Sequence, residues 1–201
     1  MSSIIFPTGA IAATYRGLPS IYEFINSDGA HRQFNCGQAA ACTMLTLCDA
    51  LPPEPSEEAA RLSMMAIEAQ HPPDNMGGWF GTSRRRAERI LRAHGIPFET
   101  IKGETKLRET LAQGRPVMVM LGTEGKRFWK WHAPTGHWIV LYGFDDKQVF
   151  CSNWNEPGIT WEEFRWRWNK PLTRVISMRN LGLAALDRRS SRRRDSSLRS
   201  I

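Results

Sequence analysis

The stretch "HRQFNCGQAAACTML", residues 31–45, sets a cysteine and a glycine at the head of an alanine-rich run. No charged residue interrupts the sequence from Asn35 to Cys48, and the prolines of "LPPEP", residues 51–55, end it. Such a segment predicts a helix over 36–50, with Asn35 as its N-cap and Cys36 in its first turn. A helix N-terminus concentrates unpaired N–H groups and the positive end of the helix dipole, which together favour a thiolate. Gly37 removes a side chain beside the sulfur and leaves room for a substrate carbonyl. Cys36 could still be core filler, half of a disulfide, a metal ligand or a nucleophile. The remainder of the chain decides between these.

Working outward, Ser56 precedes "EEAARLSMMAIEAQ" and reads as the N-cap of a second helix, with acidic residues in its first turn. "HPPDNMGGWFG", residues 71–81, is a loop, and Thr82 or Ser83 opens a third helix, "RRRAERILRAHG", closed by Gly95. The rhythm then changes. "IPFETIK" reads as a short strand, "TKLRETLAQG" as a helix ended by Gly114, and "RPVMVMLG" as a buried strand. Two further strands, "GHWIVLYG" and "KQVFCSNW", flank the turn "FDD". "ITWEEFRWRW" reads as helical and "TRVISMRN" as the last strand. Helices come first and a mostly antiparallel sheet second, an α+β pattern.

A nucleophilic cysteine needs a base, and the chain offers five histidines. His31 and His132 fall in loops, His71 precedes two prolines, and His94 sits at a helix end. His137 alone begins a strong strand. If the hairpin turns symmetrically about Asp145–Asp146, His137 lies opposite Asn153 or Trp154, with facing Cβ atoms roughly 5 Å apart. Alternation then sets His137, Ile139 and Leu141 on one face, against Asn153, Cys151 and Val149. An Asn153 carbonyl oxygen accepting the imidazole N–H would orient His137. A buried histidine satisfied by a neighbouring amide is the plainer alternative, and the pairing with Cys36 weighs against it.

The order Cys36, His137, Asn153 on helix-then-sheet resembles papain-like cysteine peptidases, which use a Cys-His-Asn set. More narrowly, the chain resembles C39-like peptidases, relatives of the double-glycine peptidases that process bacteriocins. The resemblance rests on "NCGQAAACTML", "GGWFGTSRRRAERILRAHGI", "LRETLAQGRPVMVML", "GHWIVLYGFDD" and "ITWEEFRWRW", and covers roughly residues 31–178. It implies a papain-like α+β fold with N-terminal helices on a mostly antiparallel sheet, and peptide-bond cleavage through a thioester acyl-enzyme. Catalytic roles fall to Cys36, His137 and Asn153, and Trp154 would shield the His137–Asn153 bond from water. Two departures stand out. The family usually has Asp, often followed by Pro, where this chain has Asn153 and Trp154. Its oxyanion glutamine normally stands five or six residues before the cysteine, where this chain has His31 and Ala30. Gln33 is therefore the nearest candidate for the oxyanion hole, beside the Cys36 backbone N–H; Gln38 lies inside the helix. The chemistry requires no cofactor and no metal. The same thioester chemistry also serves acyltransferases, deamidases and amidases, and a silent papain-like binding module is a further alternative.

Composition bounds the rest. The chain has 201 residues, 41% of them hydrophobic, with eight tryptophans, enough for one ordinary core. Cys36, Cys42 and Cys48 fall six apart on one predicted helix and point in different directions; with Cys151, they read as reduced thiols. No C-x-x-C pair suggests zinc. Of the net charge of +7, four units sit in "LDRRSSRRRDSSLRSI", where six arginines face two aspartates. That composition predicts a disordered tail able to touch an anionic partner weakly, and it argues little for a nucleic-acid reader. The expected divisions are an N-terminal segment 1–25, a catalytic domain 26–180 and the Arg/Ser-rich tail 181–201. No membrane span and no Sec leader are evident, so a stand-alone enzyme is expected. It would act on a protein or peptide, as a processing protease or a bacterial effector, in a reducing cytoplasm or after export by a route without a signal peptide.

Overall fold

The computed structural model describes residues 34–51, 56–74, 81–122, 136–152, 158–169 and 178–186. Among the described residues three helices come first: α1 (Cys36–Leu47), α2 (Glu57–Gln70) and α3 (Arg84–Ala93). Then follow β1 (Phe98–Lys102), α4 (Glu104–Ala112), β2 (Val117–Gly122), β3 (Gly136–Phe144), β4 (Gln148–Cys151), β5 (Gly158–Thr160), α5 (Trp161–Trp168) and β6 (Leu181–Ala185).

Local chemistry explains the helix ends. The Ser56 hydroxyl accepts from Ala59 N and the Ser83 hydroxyl from Arg86 N, each satisfying one orphan donor of a first turn. Gly95 and Gly114 follow α3 and α4 at φ of 68° and 72°, the left-handed conformation that stops a helix.

The six strands form one sheet in the order β1-β6-β2-β3-β4-β5, every neighbouring pair antiparallel. Alternation splits its side chains between two cores. Met118, Met120, Trp138, Val140 and Leu183 pack with α1, α2 and α3 on one face. Val117, Val119, Leu121, Ile139 and Leu141 pack with Leu107 of α4 and with Trp161, Phe164 and Trp168 of α5 on the other. The sheet is therefore buried on both faces, and β2 is buried throughout.

Two expectations are corrected here. Of the run 173–180 read as the last strand, the described residues Met178–Asn180 are not in a strand; the last described strand is Leu181–Ala185, inside the segment read as tail. β6 pairs with β1 on one side and β2 on the other, so the domain extends past residue 180 into the middle of its own sheet. Gly182 makes that insertion possible, because a β-carbon there would come 2.5 Å from Val117 Cγ1. The β3–β4 register also differs. Leu141 pairs with Cys151 and Gly143 with Phe150, the shift between them being a bulge. The symmetric turn had set Leu141 against residue 149 or 150. Among the described residues the ladder reaches Leu141–Cys151, and Asn153 and Trp154 lie outside them.

Candidate active site

α1 is the structural centre of the helical face. Every residue from Gly37 to Leu47 is buried, as an alanine-rich helix without charge allows. Cys36, its first residue, is the exception and is partly exposed. The partly exposed cysteine thus stands at the N-terminus of an otherwise buried helix. The first turn carries no acidic residue, so no carboxylate of α1 offsets the helix dipole at the sulfur. The four cysteines form no disulfide; Cys42 and Cys151 are buried, and Cys48, at the C-terminal end of α1, is partly exposed like Cys36.

Asn35 occupies the N-cap position, but its side chain does not cap. Its carbonyl accepts from Gln38 N at 3.0 Å and Ala39 N at 3.1 Å. Its amide instead donates to the Glu68 carboxylate of α2 at 2.9 Å, both residues being buried. The entry of the chain into α1 is thereby fixed to a neighbouring helix.

Thr82 does more. Its side chain packs directly on Gly37, where a β-carbon would fall within 2.7 Å of Thr82 Cγ2 and closer still to Cβ. The glycine thus makes room for Thr82 rather than for a substrate, which corrects the reading from sequence. The Thr82 hydroxyl donates to Gln38 Oε1 at 2.8 Å, and Gln38 Nε2 donates to the His71 carbonyl at 2.7 Å. Both ends of the Gln38 amide are engaged inside the core, which removes it from consideration as an oxyanion donor. Finally, the Trp138 indole N–H donates to the Thr82 carbonyl at 2.8 Å. Trp138 follows His137 in β3, and Gly37 follows Cys36 in α1. One residue, Thr82, therefore joins the cysteine end of α1 to the histidine end of β3.

His137 is the second residue of β3 and is partly buried. Its Cα partner is Leu121, so pleat alternation gives it the parity of Ile139 and Leu141, and Trp138 the parity that faces α1. Among the described residues the ladder runs one pair further, to Gly122–Gly136. Among the other histidines, His71 has its basicity lowered, first by burial and then by Arg86, His94 and Arg89. Its Nδ1 is buried without a hydrogen-bond partner among the described residues. A histidine held neutral in this way suits an imidazolium–thiolate pair poorly. His31, His132, Gln33, Asn153 and Trp154 lie outside the described residues. No group of three or more His, Cys, Asp or Glu able to hold a metal occurs among the described residues. No helix among them is long and apolar enough to cross a membrane.

Sequence reasoning missed Thr82, Trp138, Glu68 and the structural task of Gln38. A glutamine within an otherwise apolar helix was the available signal, since a buried amide demands partners.

No family model matches the sequence, and no curated protein matches it either. Solved structures do match. A Bacillus anthracis protein proposed to be a C39-like peptidase superposes with a TM-score of 0.53 at 13% identity, over 77% of this chain and 89% of the other. The peptidase domain of Streptococcus ComA, a bifunctional ABC transporter involved in a quorum-sensing pathway, gives a TM-score of 0.49 at 16% identity, over 76% and 92%. Six antiparallel strands between two helical layers, with a buried helix opening on a cysteine, make this the α+β, papain-like fold of the C39-like peptidases.

Proposed function

We propose that the protein is a cysteine peptidase in which Cys36 is the nucleophile, His137 the base and Asn153 the residue that orients His137. The observation that carries this reading is the exposure of Cys36 at the positive end of a helix that is otherwise buried. In the cycle, His137 takes the thiol proton and Sγ attacks the carbonyl carbon of the scissile amide. The Cys36 N–H, with Gln33, stabilises the oxyanion. Collapse breaks the C–N bond, and His137 returns its proton to the leaving amine. Water then hydrolyses the thioester, releasing the acid and restoring the thiol. Trp154 keeps water from the His137–Asn153 contact. The chemistry requires the His137 imidazole to reach round the start of β3 toward α1. Substrates are proteins or peptides, met in a reducing compartment or after export without a Sec leader, in a processing or effector role.

Mass-mapped iodoacetamide labelling across pH 5–9 tests the reading. A thiolate paired with a histidine alkylates well below the ordinary thiol pKa of about 8.5. Cys36 should therefore label at pH 6 far faster than Cys48, the other partly exposed thiol. His137→Ala should return its profile to that of Cys48, and Cys36→Ser should abolish peptide turnover. Asn153→Asp should retain more activity than Asn153→Ala. Equal low-pH labelling of Cys36 and Cys48 in the wild type would overturn the assignment in favour of a silent binding module.

A further inference from the structure

We infer that the Thr82–Trp138 contact is a strut that sets the separation of Cys36 from His137, which makes both Thr82 and Trp138 positioning residues. The inference rests on the catalytic reading above and extends it to groups that never touch substrate. Three observations carry it. The contact chain is short: Gly37 packs on Thr82, and Thr82 accepts from Trp138, so one residue spans the distance between the neighbours of the two reacting groups. The chain is also rigid. Thr82, Gln38 and Trp138 are all at most 2% exposed, and the buried polar atoms of the bridge hydrogen-bond one another or a backbone carbonyl. Finally, it is directional. The Thr82 hydroxyl and the Gln38 amide fix Thr82 against α1 and the end of α2, while its carbonyl accepts from Trp138 of β3.

A buried network with every polar group matched permits one geometry, whereas packing of apolar surfaces tolerates sliding by fractions of an ångström. Proton transfer between a thiol and an imidazole is sensitive to displacements of that size, and misplacement by about 1 Å can cost on the order of a hundredfold in rate. Core stability needs the Trp138 ring. Reactivity needs its N–H as well.

Trp138→Phe separates the two roles, since it keeps an aromatic ring in the core and removes the donor. Low-pH iodoacetamide labelling of Cys36 should fall roughly tenfold or more, and its pH profile should shift upward, while Cys48 labelling stays at the wild-type rate. Thr82→Val, which retains the carbonyl but strands Gln38 Oε1, should shift the profile in the same direction. Thr82→Ser keeps both hydroxyl and carbonyl and should restore wild-type behaviour. A folded Trp138→Phe protein with an unchanged Cys36 profile would overturn the strut. Where Trp138→Phe does not fold, a wild-type profile in Thr82→Val overturns it equally. If wild-type Cys36 shows no activation over Cys48, the catalytic reading and the strut fall together; if the wild type is activated and the variants match it, the strut alone falls.

Discussion

The β-carbon of Thr82 occupies the space that a side chain on residue 37 would need. In an unconstrained helix, replacing glycine by alanine stabilises by up to about 1 kcal/mol. Here the sign should reverse. Gly37→Ala is expected to lose about 1–3 kcal/mol or more, as overpacked cores do, read from urea denaturation. Adding Thr82→Ala should recover little, because the offending β-carbon stays; adding Thr82→Gly should recover more. A Gly37→Ala protein as stable as wild type would show that α1 and Thr82 are not in contact.

Burial divides the thiols into two pairs. Cys36 and Cys48 are partly exposed, whereas Cys42 and Cys151 are buried. In the native protein above pH 8.5, a small alkylating agent should modify Cys36 and Cys48 and spare the other two until denaturant is added. Native labelling of Cys42, which is 0% exposed in the middle of α1, would contradict the packing of that helix.

The position of β6 makes truncation a sharp measurement. Removing residues 187–201 leaves every described strand in place, and the melting temperature should stay within a degree or two of the full chain. Any salt-sensitive binding to an anionic partner should disappear with the tail. Removing residues 181–201 instead extracts the strand between β1 and β2. That shorter chain should lose its cooperative unfolding transition. A stable fold without 181–185 would refute the sheet order.

Glu104 ties α4 to α5. Its carboxylate accepts from Arg165 Nε at 2.6 Å and from Arg108 Nε at 2.8 Å, and the Arg108 guanidinium lies 3.5 Å from the centre of the Trp161 ring. The hydrogen bond from Arg165 lowers the Glu104 pKa from 4.5 to about 2; burial opposes the shift and Arg108 supports it. Because the folded value lies below the unfolded one, the stabilisation is full above pH 4.5 and is lost as pH falls toward about 2. Glu104→Gln should cost about 1 kcal/mol at neutral pH, since solvent screens a partly exposed pair. The variant should also show a flatter loss of stability between pH 4.5 and 2.5 than wild type.

Legibility followed the range of the interactions. The helices around Ala39, Ala60 and Ile90 were readable because caps and periodicity are local, and so was the strand Val117–Gly122, a short apolar run behind a helix stop. β6 was not. "LGLAA" has little β-branched character, and it sits beside an arginine-rich stretch whose composition dominated the reading. The β3–β4 register escaped because a bulge between Leu141 and Gly143 has no fixed sequence mark. At the site, Cys36 and His137 were visible as residue types at element starts. The meaning of Gly37 was hidden, because the residue that explains it lies 45 positions away and meets it only through the packing of Thr82 on α1.

The threading of β6 through the sheet also orders events in time. Until residue 185 has been synthesised, β1 lacks the strand it pairs with, and β2 offers β3 a partner on one edge alone. The contacts that close the sheet link residues about 80 positions apart, so they form late and slowly. A nascent chain that already displays the whole cysteine helix therefore has no finished sheet for it to pack upon. The core around α1 is therefore complete only once Leu183 and Ala185 have joined it.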